Sequence, residues 1–106
     1  MRKVKIKNWK VKTPDGQEKE ENLLVAVNAI INSLKPQEMP VGIEKFKIFG
    51  KIAESFEKAE KTGTLELEER EYQFLKDTIE KKVPAGWAFS KNISEAIELF
   101  MNAKEE

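Results

Sequence analysis

The 106-residue chain contains no histidine and no cysteine. Their absence excludes thiol nucleophiles, Ser-His-Asp catalysis, disulfides, zinc fingers and iron–sulfur ligation. Only carboxylate or backbone ligands are left for a metal. Arginine and aspartate are scarce, two of each against 17 lysines and 17 glutamates. No run approaches the ~20 apolar residues of a membrane span. The basic start is not followed by an apolar stretch, so no secretory signal is expected. The composition fits a cytoplasmic chain with no need of disulfide staples. No glycine-rich phosphate loop and no EF-hand pattern occurs. Ser33, Ser55, Ser90 and Ser94 have no histidine to activate them. An enzyme is therefore not expected, and no catalytic residue, metal or cofactor is assigned.

Hydrophobic residues make up 40% of the chain and charged residues 36%. The first figure allows a core, and the length allows one domain over 1–106. Basic and acidic residues balance at 19 each, so the whole molecule has no bias toward polyanions.

Residues Lys3 to Lys12 read as a strand. Val4 and Ile6 alternate with Lys3, Lys5 and Lys7, the period-2 pattern of a half-buried strand. The phase then slips, because Trp9 and Val11 are odd-numbered. A bulge near Lys7-Asn8, or cover on both faces of the second half, would accommodate the slip. Thr13-Pro14-Asp15-Gly16 is a turn signal. The strand is expected to pair either with 17–21 across that turn or with 64–67.

Asn22 to Leu34 carries no charge and reads as a first helix capped by Asn22. It is apolar nearly all round, as in a helix buried on several sides. A second helix is expected over about 41–61, with Phe46, Phe49, Ile52, Ala53 and Phe56 inward and Gly63 at its C′ position. Gly50 lies in its middle, where glycine often permits close approach of another backbone. A third helix starts among Glu68, Glu69 and Glu71, which suit a helix N-terminus. It runs to about Lys82 with Tyr72, Leu75 and Ile79 inward. Trp87 and Phe89 sit in a connector. Asn92 and Glu95 have capping-box spacing for a fourth helix that turns Ile93, Ala96, Ile97, Phe100 and Met101 inward, after which Lys104 to Glu106 fray. The expectation is an α+β fold, a short N-terminal hairpin or small antiparallel sheet packed with about four helices, helix one central.

The most pronounced local bias is basic. Arg2, Lys3, Lys5, Lys7, Lys10 and Lys12 fall within the first twelve residues, which hold no acid. One reading is a nucleic-acid contact through Lys3, Lys5, Lys7, Lys10 and Lys12, with Trp9 stacking on a base. The plainer reading is that lysines guard an exposed strand edge. A third is an acidic protein surface, the chain's own acidic face included. Helix-turn-helix is disfavoured, since the connections between helices exceed the three or four residues that motif needs. Glu66, Glu68, Glu69 and Glu71 read as a solvated helix start rather than a cation site.

Ile48 and Leu99 fall off their helix stripes. With Gly50, Trp87 and Phe89 they outline a candidate interaction surface for another protein. A charge-free helix in addition to three others suggests a homodimer with contact through the outer face of helix one or two, together with Ile48 and Leu99.

The plan of the chain supports one resemblance. It comprises the basic strand Val4 to Val11, the turn Pro14-Asp15-Gly16 and the apolar helix Leu23 to Leu34. Phe46-Lys47-Ile48-Phe49-Gly50-Lys51-Ile52, Leu65-Glu66-Leu67-Glu68, Tyr72 to Lys82 and a Trp-containing connector follow. In this order it resembles small proteins encoded in phages and prophages of low-GC bacteria. The resemblance implies a setting, and it assigns no activity and no functional residue. The leading expectation is a noncatalytic accessory or interaction domain, and the alternative is a nucleic-acid-binding module.

Overall fold

In a computed structural model that describes residues 1–105, the element order is β1 (Arg2–Lys5), β2 (Trp9–Lys12), β3 (Glu18–Glu21), α1 (Leu23–Asn32), α2 (Ile43–Thr62), β4 (Thr64–Leu67), α3 (Glu69–Lys82) and α4 (Lys91–Met101). Short 3₁₀ segments cover Pro36–Glu38 and Ala85–Phe89. The fold is α+β, with two small antiparallel sheets and four helices.

The slip in hydrophobic phase marks a break in the strand. The expected continuous strand over 3–12 is two strands in two sheets, interrupted over 6–8. β1 pairs with β4, setting Val4 against Leu65 and Arg2 against Leu67. β2 pairs with β3, setting Trp9 against Glu21 and Lys12 against Glu18. Both expected partners are used, one by each half. The break lets Val4 and Trp9 turn inward on separate sheets, which a single flat strand forbids.

The turn between β2 and β3 forms as its residues dictate. Gly16 takes φ +86°, and its N–H donates to the Thr13 carbonyl at 2.9 Å. Asp15 accepts from the Thr13 hydroxyl and from the Gln17 N–H.

One continuous core joins the elements. It contains Val4, Leu23, Val27, Ile30, Ile52, Phe56, Leu65, Leu67, Tyr72, Leu75, Ile79 and Phe100. Asn22 caps α1, its Oδ1 accepting from the N–H groups of Leu24 (2.9 Å) and Val25 (3.3 Å). α3 packs against α1, α2 and β4, and α1 as widely, against α3, α4 and β3. α1 is not enclosed on every side, because Val25, Asn28, Ala29 and Asn32 face solvent.

Five expectations on the helices and the chain end require correction. In α2 the buried ridge is Ile48, Ile52, Phe56 and Ala59, whereas Phe46 and Ala53 are exposed. The i,i+4 row facing β4 decides the inward side, so Ile48 belongs to the core and not to an interaction surface. Phe49 is half-buried, edge-on to Phe74 at 5.5 Å. Gly50 is exposed, and a Cβ built there meets nothing within 4 Å. Among the described residues no other backbone approaches it. In α4 the cap is Ser90, whose Oγ accepts from the Ile93 N–H at 3.3 Å; Asn92 is already helical. The chain end is tied where fraying was expected, since Glu105 forms a β-bridge with Arg2. Glu106 lies outside the described residues.

Other expectations appear as read. Gly63 ends α2 in the left-handed region at φ +80°. Tyr72, Leu75 and Ile79 are the buried stripe of α3. Among the described residues no helix is long and apolar enough to cross a membrane.

Candidate functional site

The basic residues of the first twelve do not form one surface. Four of the six are matched with acids, Arg2 among them. Lys3 lies 3.8 Å from Glu66 across β1–β4. Lys10 lies 3.8 Å from Glu18 across β2–β3, and Lys12 faces Glu18 in register. Opposite charges facing each other across strands stabilise the pairing modestly. They also reduce the field that a nucleic-acid backbone would sense. The chain's own acidic strands thus take up part of the basic face.

Arg2 has a structural role. Its guanidinium donates to both carboxylate oxygens of Glu69 at 2.9 and 3.0 Å and to the Ala103 carbonyl at 2.6 Å. It also lies 4.7 Å from the Tyr72 ring centroid. The bond to Arg2 holds the Glu69 carboxyl at a pKa of about 2, with a further hydrogen bond from Gln73. Tyr72 in turn donates to the Phe100 carbonyl at 2.7 Å, and burial raises its phenol pKa. These bonds join β1, α3 and the end of α4.

Lys5 and Lys7 form no ion pair among the described residues. With Asn8 and Trp9 they line a cleft of about 130 Å³ against Asn92, Glu95, Ala96 and Leu99 of α4. Four of the residues singled out in the sequence thus meet at one place, Lys5, Lys7 and Trp9 from the basic segment and Leu99 from the interaction candidates. Lys3, Lys10 and Lys12 lie outside it. Asn8 and Asn92 belong to this cleft and were missed in the sequence; neither has a motif, and only the tertiary fold brings them together.

A second cleft, of about 120 Å³, lies among α2, β4 and the start of α3. Lys51, Ser55, Lys58, Glu66, Glu68 and Glu71 are part of its lining. Carboxylates beside lysines are the convergence an enzymatic reading needs. No hydrogen bond joins Ser55 to a carboxylate or a lysine among the described residues, and Glu66 is held by Lys3. Glu71, only 2% exposed, accepts from Arg70 at 3.2 Å through one oxygen, and the other oxygen has no hydrogen-bond partner among the described residues. Among the described residues no three acidic side chains are grouped to hold a metal.

The apolar surface is unevenly distributed. Val41 (84% exposed), Ile43 (71%) and Phe46 (77%) protrude at the start of α2, and Phe89 (93%) protrudes from the connector. Trp87 instead packs half-buried against the core, so the two connector aromatics have separate roles. Trp87, Ile93, Ile97 and Met101 line an open, mostly apolar groove of about 490 Å³ between connector and α4. No protein-family model matches this chain, and no curated protein or solved structure is significantly similar to it.

Proposed function

We propose that this chain is a noncatalytic accessory domain that acts by contact with another protein. The observation that carries the reading is the exposure of Val41, Ile43 and Phe46 within six residues. Exposed large apolar residues grouped together characterise interaction sites, whereas scattered single ones need no explanation. Phe89 and Leu99 add apolar surface elsewhere, and the lack of histidine and cysteine removes the commonest catalytic groups. A second copy of the chain is one available partner, and a cytoplasmic, phage-like setting is part of the proposal.

Site-specific photo-crosslinking in the source cells tests this. A benzoylphenylalanine at Phe46 or Phe89 should give a discrete adduct, while one at exposed Glu57 gives none. An adduct of twice the chain mass identifies the second copy as partner. Equal smears at all three positions, or no adduct, would refute the reading.

A further inference from the structure

We infer that the cleft between the β1–β2 corner and α4 is a binding site for a carboxylate attached to a short apolar stem. The inference is independent of the apolar patch on α2.

The cleft is rich in donors that the protein leaves unused. Lys5 and Lys7 line it without an ion pair among the described residues. The Trp9 Nε1 is buried and has no hydrogen-bond partner among the described residues. A buried donor without an acceptor is costly, and native structures contain few of them. Asn8 accepts from Asn22 Nδ2 through its Oδ1 at 3.0 Å. That bond commits the amide oxygen and leaves the Nδ2 hydrogens for another acceptor. Lys5, Lys7 and Asn8 therefore present donors to one cleft, and Trp9 lines it with its Nε1 covered at the wall. A ligand that satisfies them must bring acceptors.

The corner is held in place. Asn22, which bonds Asn8, also caps α1 through Leu24 and Val25. The Ile6 N–H donates to the Gly63 carbonyl at 2.9 Å on the other side. The backbone of the corner and the Asn8 amide are thus tied to two elements before any ligand arrives, which lowers the ordering cost of binding there.

Charge and size select the ligand. Lys5 and Lys7 against Glu95 give the lining a net charge of +1. That suits a monoanion better than a phosphate dianion. Leu23, Ala96 and Leu99 provide an apolar wall against which methylenes can lie. About 130 Å³ accommodates a carboxylate and a few carbons. A free small acid and a glutamate side chain on a peptide share this chemistry.

The two tryptophans give two indole N–H resonances in a ¹H–¹⁵N spectrum, assigned with Trp87→Phe. Butyrate titrated at constant ionic strength should move the Trp9 signal saturably and leave Trp87 in place. The Lys5→Gln/Lys7→Gln variant, whose side chains are exposed, should keep its thermal midpoint and bind about tenfold more weakly or worse. A capped glutamate peptide that produces the same shift assigns the site to a partner's side chain; butyrate alone assigns it to a free acid. The inference is overturned by a shift that does not saturate, by an equal response in the double variant or to chloride, or by inorganic phosphate binding more tightly than butyrate.

Discussion

Individual residues in this molecule often serve two elements at once. Arg2 ties β1 to Glu69 at the start of α3 and to Ala103 after α4. Its bidentate fork cannot be reproduced by lysine, so Arg2→Lys should lower the thermal midpoint although the charge is kept. The Glu69 carboxyl is depressed from 4.5 to about 2 in the folded state, chiefly by Arg2. Its contribution to stability is therefore complete above pH 4.5 and lost as pH falls toward 2. Denaturation midpoints measured across that window should fall more steeply for the wild type than for Arg2→Gln; parallel curves would contradict the assignment. Tyr72→Phe removes the hydroxyl that donates to the carbonyls of Phe100 and Met101. A loss of about 1 kcal/mol is expected in chemical denaturation, more if the buried carbonyls find no other donor.

Among the elements, α1 and α2 illustrate how capping and packing divide the work. Asn22 satisfies two orphan N–H groups of α1 and anchors Asn8. Asn22→Ala should cost about 1 kcal/mol, the usual value for a cap. In α2, Gly50 carries the entropic cost of glycine in a helix with no contact to compensate it. Gly50→Ala should raise stability by about 0.5–1 kcal/mol in urea denaturation. A destabilised Gly50→Ala variant would indicate that another molecule approaches this face in solution. The exposed start of α2 behaves differently again. Val41→Ser, Ile43→Ser and Phe46→Ser should each change stability by no more than about 0.5 kcal/mol, because these side chains give up little burial. A larger loss in any of them would place that side chain in the core.

At the scale of the whole molecule, the balanced charge conceals a rearrangement. The first twelve residues carry all their charges as cations, and the remaining 94 carry a net −6. Folding brings the two together through Arg2–Glu69, Lys3–Glu66 and Lys10–Glu18. The basic segment is thereby partly consumed inside the domain, and Lys5 and Lys7 are left beside α4. Apolar surface is displaced in the same way. The core takes Ile48 and rejects Phe46, so a contact between copies would run through the start of α2 rather than through Ile48. Light scattering at micromolar concentration should give a mass near twice 12.2 kDa if that contact forms. Phe46→Ser should then return the mass to that of one chain.

Much of the fold was legible in one dimension. The turn at Pro14-Asp15-Gly16, the Asn22 cap, the left-handed Gly63 and the stripe Tyr72-Leu75-Ile79 rest on backbone preferences and local periodicity, which act between near neighbours. The slip in phase between Ile6 and Trp9 was visible too, but it suggested a bulge or two-sided cover of one strand rather than a division into two. The assignment to two sheets was not legible, because both candidate partners are compatible with period 2 and the choice depends on where β4 lies. The buried face of α2 was misread for a related reason. Phe46-Phe49-Ile52-Phe56 and Ile48-Ile52-Phe56 are both helical stripes, and only the position of the packed sheet selects between them. Ser90 prevailed over Asn92 as the cap because the connector's 3₁₀ turn brings the helix start forward. The cleft of Lys5, Lys7, Asn8 and Trp9 against α4 joins residues more than eighty positions apart. The sequence determined which donors occur, but their convergence, and the absence of an acceptor for Trp9 among the described residues, arise from long-range packing that no local pattern encodes.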